Sequence, residues 1–286
     1  MWAWVGLGLG MLLAGCAAVA EPASGRGLEQ TLRVAVPGTG AEITVRLCLP
    51  AGAEVPRLVL INHGSTPNAD LRQRQQPLAC DHPAAAWFLA RGYAVAAPLR
   101  RGYGAAGGAW AGDFGPCTAP DYRHAGRETA RDIRAAINHL VTLPSVQADG
   151  VIVLGHSGGG WGALALAAEP PVALGAIINI AGGRGGRAGG RPNVNCQPTA
   201  LVASAGEFGA TARVPSLWVY TANDSFFDLP LAQRMLEAYR GAGGLAEFHA
   251  LPAFGSDGHQ QFFAVEGPAA WGPVVAQFLA PYPSRR

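Results

Sequence analysis

The stretch "GVIVLGHSGGGWGALALAA", residues 150–168, decides the fold. It opens with a short β-branched run of the kind buried on both faces of a sheet, and it closes in an alanine-rich segment that favours helix. Between the two, Gly155, Ser157 and Gly159 spell Gly-x-Ser-x-Gly. In a chain with 40 glycines that pattern alone means little. A strand before it and a helix after it change its meaning. A sharp, strained turn would lift the Ser157 hydroxyl above the end of the sheet, and the flanking glycines would relieve the crowding. Ser157 is therefore expected to act as a nucleophile, provided a base and an orienting carboxylate stand at later strand ends.

Outward from this stretch the same grammar repeats. "RLVLINHG", "YAVAAPL", "LGAIINIAG" and "PSLWVYT" are further short apolar runs bounded by Gly or Pro. Helical patterns separate them at "HPAAAWFLARG", residues 124–142 and "LAQRMLEAYRGAGG". The second carries Ile133, Ala136, Ile137, Leu140 and Val141 at the spacing of a core-facing stripe. "TLRVAV" and "EITVRLCL" alternate as an antiparallel pair, while "AEFHAL" and "PAAWGPVVAQFLA" supply a last strand and helix. Strands alternating with helices predict an α/β fold with a mostly parallel sheet and helices on both faces. Reactive loops then follow the carboxyl ends of the strands.

That rule locates the partners of Ser157. After "PSLWVYT" comes "ANDSFFD", which offers Asp224 at the strand end and Asp228 four residues later. Asp224 is the expected acid, because Asp228 precedes "LP" in the manner of a helix cap. After "AEFHAL", the loop "LPAFGSDGHQQFF" presents His259, the expected base. His82, His124, His139, His156 and His249 fall near helix starts, within a helix, at the variable position of the turn or within a strand. A negative oxygen forming on the substrate needs two N–H donors. Gly158 and Ser65 are the candidates, with His63 orienting the loop that carries Ser65.

With these residues in place, the chain resembles α/β-hydrolases of the dienelactone-hydrolase-like group. The likeness runs through "INHGS", "PLRRGYG", "GHSGG", "ANDSFF" and "GSDGH" and covers essentially the whole mature chain. It implies an eight-stranded, mostly parallel sheet without a large cap domain, a Ser-His-Asp triad, no cofactor and acyl transfer to water. Ser157 stands where dienelactone hydrolases carry cysteine, which points the substrate away from dienelactones. "GHSGGG" also resembles the turn of secreted polyester hydrolases and of prolyl-oligopeptidase-type peptidases.

Arg100, Arg101 and Tyr103 follow a parallel strand, and Arg101 and Tyr103 are expected at the substrate pocket, alternatively as ties between loop carbonyls. Trp161 is expected either in that pocket wall or in helix packing. The run "AGGRGGRAGGRPNVNCQP" spreads Arg184, Arg187 and Arg191 through glycine, suggesting a basic flap over the site. Four cysteines follow the N-terminal segment: Cys48, Cys80, Cys117 and Cys196. They allow three full pairings, of which Cys80 with Cys117 is the expected bridge, with Cys48 at the opposite edge.

Residues 1–20 read as an export signal: "MWAWVGLGLGMLLAGCAAVA" is uncharged, apolar and ends in small residues. "LAGC" resembles a lipoprotein box, which implies cleavage before Cys16 and lipidation of its thiol. "AVA" before Glu21 offers ordinary cleavage, and a retained anchor is the third reading. Residues 21–30 then form a tether and 31–286 a single α/β domain in the periplasm, lipid-anchored at a surface, or secreted. All 21 basic residues are arginine, which excludes Schiff-base, Ser-Lys and Walker lysine chemistry. A net charge of +2 without basic clusters gives no case for nucleic acid, and no ligand spacing points to a metal. The expected partner is a small-molecule ester, with membrane contact only through the lipid anchor. The reading is a carboxylic ester hydrolase. The alternatives are a peptidase or acyltransferase on the same fold and a noncatalytic binding lipoprotein.

Overall fold

The computed structural model describes residues 1–2, 27–52 and 55–284. Cys16, both expected cleavage sites and residues 21–26 of the tether lie outside the described residues. Among the described residues no helix is long and apolar enough to cross a membrane.

Eight strands form one sheet: β1 (Glu29–Val36), β2 (Ala41–Cys48), β3 (Leu58–Asn62), β4 (Ala94–Leu99), β5 (Val151–His156), β6 (Leu174–Ile180), β7 (Ser216–Thr221) and β8 (Ala246–Leu251). Their order is β1-β2-β4-β3-β5-β6-β7-β8. β2 runs antiparallel to both β1 and β4, and the remaining pairs are parallel. All residues of β3, β4, β5 and β7 are buried. That burial explains why these strands read as unbroken apolar runs. β1 starts at Glu29, so the last two residues assigned to the tether belong to the sheet.

The sheet sorts its side chains by alternation. Leu58, Leu60, Val151 and Val153 face α3 (Tyr122–Leu140), α4 (Gly158–Ala168), α5 (Pro198–Gly209) and α6 (Leu229–Gly241). Val59, Ile61, Ile152 and Leu154 face α2 (Pro83–Leu89) and α7 (Gly267–Phe278). The stripe expected on α3 faces inward at Ile133, Ala136, Ile137 and Leu140, with Val141 half-buried. A short α1 (Ala69–Arg74) and α5 escaped the sequence reading. "PTALVASAGEFG" has too few large apolar residues to show a period, though Leu201, Ala205 and Phe208 share one buried face.

The order in which strands are added reverses between β3 and β5: one crossover leaves β3 for β4, and the next returns past β3 to β5 on the other face of the sheet. A crevice opens at such a switch point, beyond the carboxyl ends of the two strands. The loop carrying Ser65 and the turn carrying Ser157 both leave from there. Residues 181–197, between β6 and α5, hold only a short 3-10 turn at Ala188–Gly190 and no helical cap.

The expected Cys80–Cys117 bridge is not formed. Cys48 pairs with Cys80, and Cys117 with Cys196. Cys48 was placed by its strand, but its side chain points into the α2–α7 side of the core, against which Cys80 also packs. Cys117 and Cys196 lie on the other face, where Tyr122 on α3 donates to the Cys196 carbonyl. Two bridges are compatible with an oxidising compartment. They close loops of 32 and 79 residues, for which chain-entropy arguments give about 3 to 5 kcal/mol each. Nonreducing peptide mapping should recover these two pairs, and C48A/C80A should lower the unfolding free energy in urea by about 3 kcal/mol. A Cys80–Cys117 peptide would overturn the pairing.

Candidate active site

Ser157 connects β5 directly to α4 and has φ 53° and ψ −121°, a left-handed backbone rarely held by a residue with a side chain. Its N–H donates to Ile180 O at 3.0 Å, and its carbonyl accepts from Trp161 N at 3.0 Å and Gly183 N at 3.2 Å. Neighbouring glycines make room. A Cβ on Gly159 would sit 2.5 Å from His63 O and one on Gly158 2.6 Å from Arg184 Nη1. Gly160 has the same explanation, since a Cβ there would lie 2.9 Å from Gly155 O. As the first residue of α4, Gly158 has an N–H with no partner within its helix.

Asp224 and His259 come together although 35 residues separate them. His259 Nδ1 lies 2.9 Å from Asp224 Oδ2 and 3.1 Å from Oδ1. Both are buried, and Asp224 Oδ1 also accepts from Phe226 N at 2.7 Å and Phe227 N at 2.9 Å. Asp228 instead caps α6, accepting from Leu231 N at 2.9 Å. Phe226 stacks on the His259 ring at 4.1 Å. Ser157 and His259 line the same cavity of about 360 Å³, without a direct hydrogen bond between them among the described residues. Such contacts are commonly long until substrate is bound.

Asp257 and Asn223 were missed by sequence reading, and they knit the loops of Asp224 and His259 together. Asp257 accepts from Ser225 N at 3.0 Å, Ser225 Oγ at 2.7 Å and His259 N at 3.1 Å. Burial pushes its carboxyl up, but these hydrogen bonds outweigh burial and hold it below its ordinary value. Asn223 Oδ1 accepts from Phe254 N at 2.8 Å, and its amide donates to Phe254 O and Gly255 O. Asn and Asp beside Gly and Ser are turn formers, and that composition was the available signal.

The Ser65 loop is set from behind. Arg100 is buried and donates to His63 O at 2.7 Å and Gly64 O at 3.0 Å. His63 Nδ1 donates to Gly64 O at 2.7 Å, so its Nε2 accepts from Arg100 N at 3.2 Å. In a trans peptide C=O and N–H point opposite ways. With the Gly64 carbonyl turned toward Arg100, the Ser65 N–H is directed away from it.

His156, the residue preceding Ser157, donates from Nε2 to His259 O at 2.7 Å. Desolvation by burial, then the neighbouring His259, pull its pKa down to about 3. Burial, followed by Arg100, likewise holds His63 well below the ordinary imidazole value. Both rings are neutral at pH 7.

Three expectations for the pocket need correction. Arg101 lines neither cavity at Ser157: it is buried against Asp132 at 2.6 Å and Glu128 at 2.9 Å. Tyr103 is buried behind the site, its ring 4.5 Å from His63 and its hydroxyl accepting from Trp110 Nε1 at 3.1 Å. Burial pushes its phenol up, but Arg100, Ser65 and Arg184 together hold it below its ordinary value. Trp161 is packing, fully buried between Tyr122 and Phe208, with its indole donating to Tyr122 O at 2.8 Å. The basic run is not one exposed flap either. Arg184 is buried, Arg187 donates to Ser225 Oγ at 2.9 Å, and Arg191 is exposed. Among the described residues no group of three His, Cys, Asp or Glu side chains is placed to hold a metal ion.

The model of the alpha/beta hydrolase family matches residues 58–284. None of the curated proteins matches the sequence. Among solved structures, a Pyrococcus furiosus esterase is similar at 15% identity and TM-score 0.63, covering 89% of this chain and 93% of that one. A predicted CIB-like hydrolase from Thermoplasma acidophilum is similar at 16% identity and TM-score 0.57, covering 88% and 98%. The Pyrococcus horikoshii acylaminoacyl peptidase is similar at 12% identity and TM-score 0.62, covering 89% of this chain but 41% of its own. At these identities the likeness is one of fold.

The two neutral histidines, His156 buried and His63 half-buried, make stability depend on pH. Below about pH 6.5 the unfolded chain takes up protons that these rings refuse when folded, so their stabilising share is full above that value and lost as pH falls. At about pH 5 the loss from His156 is about 2 kcal/mol, with His63 acting in the same direction, and urea titrations at about pH 7 and about pH 5 should show it. H156F should remove about 2 kcal/mol of the difference; equal stability of the wild type at the two pH values would mean that the rings are charged.

Proposed function

The chain belongs to the alpha/beta hydrolase family, and from that premise we propose a serine hydrolase that cleaves carboxylic esters through an acyl-enzyme. The carrying observation is the buried Asp224–His259 pair, 2.9 Å apart, opening on the cavity that Ser157 also lines. Ser157 Oγ attacks the acyl carbon while His259 Nε2 takes its proton, with Asp224 fixing Nδ1–H and steadying the imidazolium. The N–H groups of Ser65 and Gly158 receive the negative oxygen. Arg100 supports that role for Ser65 by holding the Gly64 carbonyl on the opposite side of the shared peptide. His259 then protonates the departing alcohol, and a water activated by the same ring releases the acid.

Asp257 and His156 position the base rather than react. One holds the N–H of His259 and the other its carbonyl, so the ring is fixed at both ends of its residue. The motif likeness to the dienelactone-hydrolase-like group supports a compact enzyme acting on small esters. The two disulfides support a site of action outside the cytoplasm, reached through the N-terminal segment and anchored by lipid on Cys16.

A fluorophosphonate should label Ser157 and no other serine, as located by peptide mass spectrometry. S157A should lose on the order of a million-fold in kcat on short-chain esters, and D224N about ten-thousand-fold, both with unchanged melting temperature. An unlabelled Ser157 would favour the binding lipoprotein. Labelling with turnover of amides alone would favour the peptidase.

A further inference from the structure

A second cavity, of about 220 Å³, also reaches Ser157 and Ser65 but does not touch His259. Its walls include Trp110, Arg184 and Phe227. The leaving alcohol must receive its proton from His259, so it belongs in the first cavity, which His259 lines. The acyl group is left for the second.

Arg184 in that second cavity is an unusual cation. It is 4% exposed, yet it forms no ion pair with any described residue. Nη2 donates to the Gly112 carbonyl, and Nε is buried with no partner. Nη1 makes no hydrogen bond among the described residues and stands 2.6 Å from where a Gly158 Cβ would be, beside Ser65 Oγ. The ionisable groups that act on it are the Tyr103 phenol, then Arg100, which repels it, Asp113, an exposed residue outside ion-pair reach, and the Tyr122 phenol, none of them a carboxylate in contact with it. A guanidinium has five N–H donors in a planar fork suited to a carboxylate, and burying it without an anion is costly. The missing Cβ of Gly158 leaves the space through which it reaches the Ser157 turn.

We propose that Arg184 is a specificity residue that binds a carboxylate at the far end of the acyl group, so that the enzyme prefers hemiesters of short dicarboxylic acids. This rests on the reading of Ser157 as nucleophile. The carboxylate accepts from Nη1, which has no protein acceptor and is not sealed by burial, while Gly112 O holds the guanidinium in register through Nη2.

Glutarate and its neutral diamide, glutaramide, test the inference by protecting Ser157 against the fluorophosphonate. In the full chain, glutarate should slow labelling about tenfold more than glutaramide at equal concentration. R184Q should bring the two together, and R184K, which keeps the charge but not the fork, should retain part of the difference. Melting curves show whether each variant is folded. Equal protection by both compounds in the wild type would overturn the proposal. So would glutarate protection that is undiminished in folded R184Q, since the anion would then be held elsewhere. If Ser157 is not labelled at all, the hydrolase reading falls separately. Calorimetric titration of glutarate into wild type and R184Q then decides whether Arg184 holds the anion: tighter binding to the wild type supports it, and equal binding overturns it.

Discussion

A single residue in a costly conformation governs the geometry around it. Ser157 holds φ 53°, and a strained residue of this kind costs about 1 to 3 kcal/mol, so its surroundings must over-determine it. They do so from three strands. The Ser157 N–H is held by the end of β6, and its carbonyl by α4 and by Gly183 beyond β6. The end of β3 closes on α4 where Gly159 lacks a side chain, and Asn62 there donates to Leu154 O of β5 at 3.1 Å. The glycines of the turn are thus conditions for the approach of α4 to the sheet as much as for the exposure of a hydroxyl.

What could be read from the chain was what depends on local order. All eight strands were legible because buried parallel strands are short, apolar and punctuated. Ser157, Asp224 and His259 were legible because each follows a strand, and topology brings strand ends together. What failed depends on which face a side chain takes. Cys48 was placed along the sheet, but its bridge was decided by the side of the sheet it points to. Arg101 stands where a pocket residue could stand, yet a carboxylate on α3, Asp132, sits within the core and claims it. Nothing near Arg101 in sequence announces that partner. Asp257 was overlooked because its value lies in two backbone N–H groups, which no side-chain pattern displays.

A chain without lysine must make every internal cation from guanidinium, and around this site three of them are satisfied in three ways. Arg100 is spent on carbonyls, Arg101 on carboxylates, and Arg184 on one carbonyl with most of its donors left over. A compact ammonium could not stand in for Arg100, which needs two donors set apart in one plane to hold His63 O and Gly64 O together. Arginine here works as a rigid bracket for backbone, with its charge a secondary property.

The hydrogen bond from His156 to the carbonyl of His259 spans 103 positions of the chain. The loop of His259 follows β8, the edge strand that pairs with β7, so the histidine reaches Ser157 only after that edge has closed. Contacts of such long range form late, because the loops they close must be ordered first. During synthesis the chain therefore carries Ser157 well ahead of His259. On the proposed reading of the site, reactivity arrives as the last event of assembly, and a chain cut short of its final strand stays chemically silent.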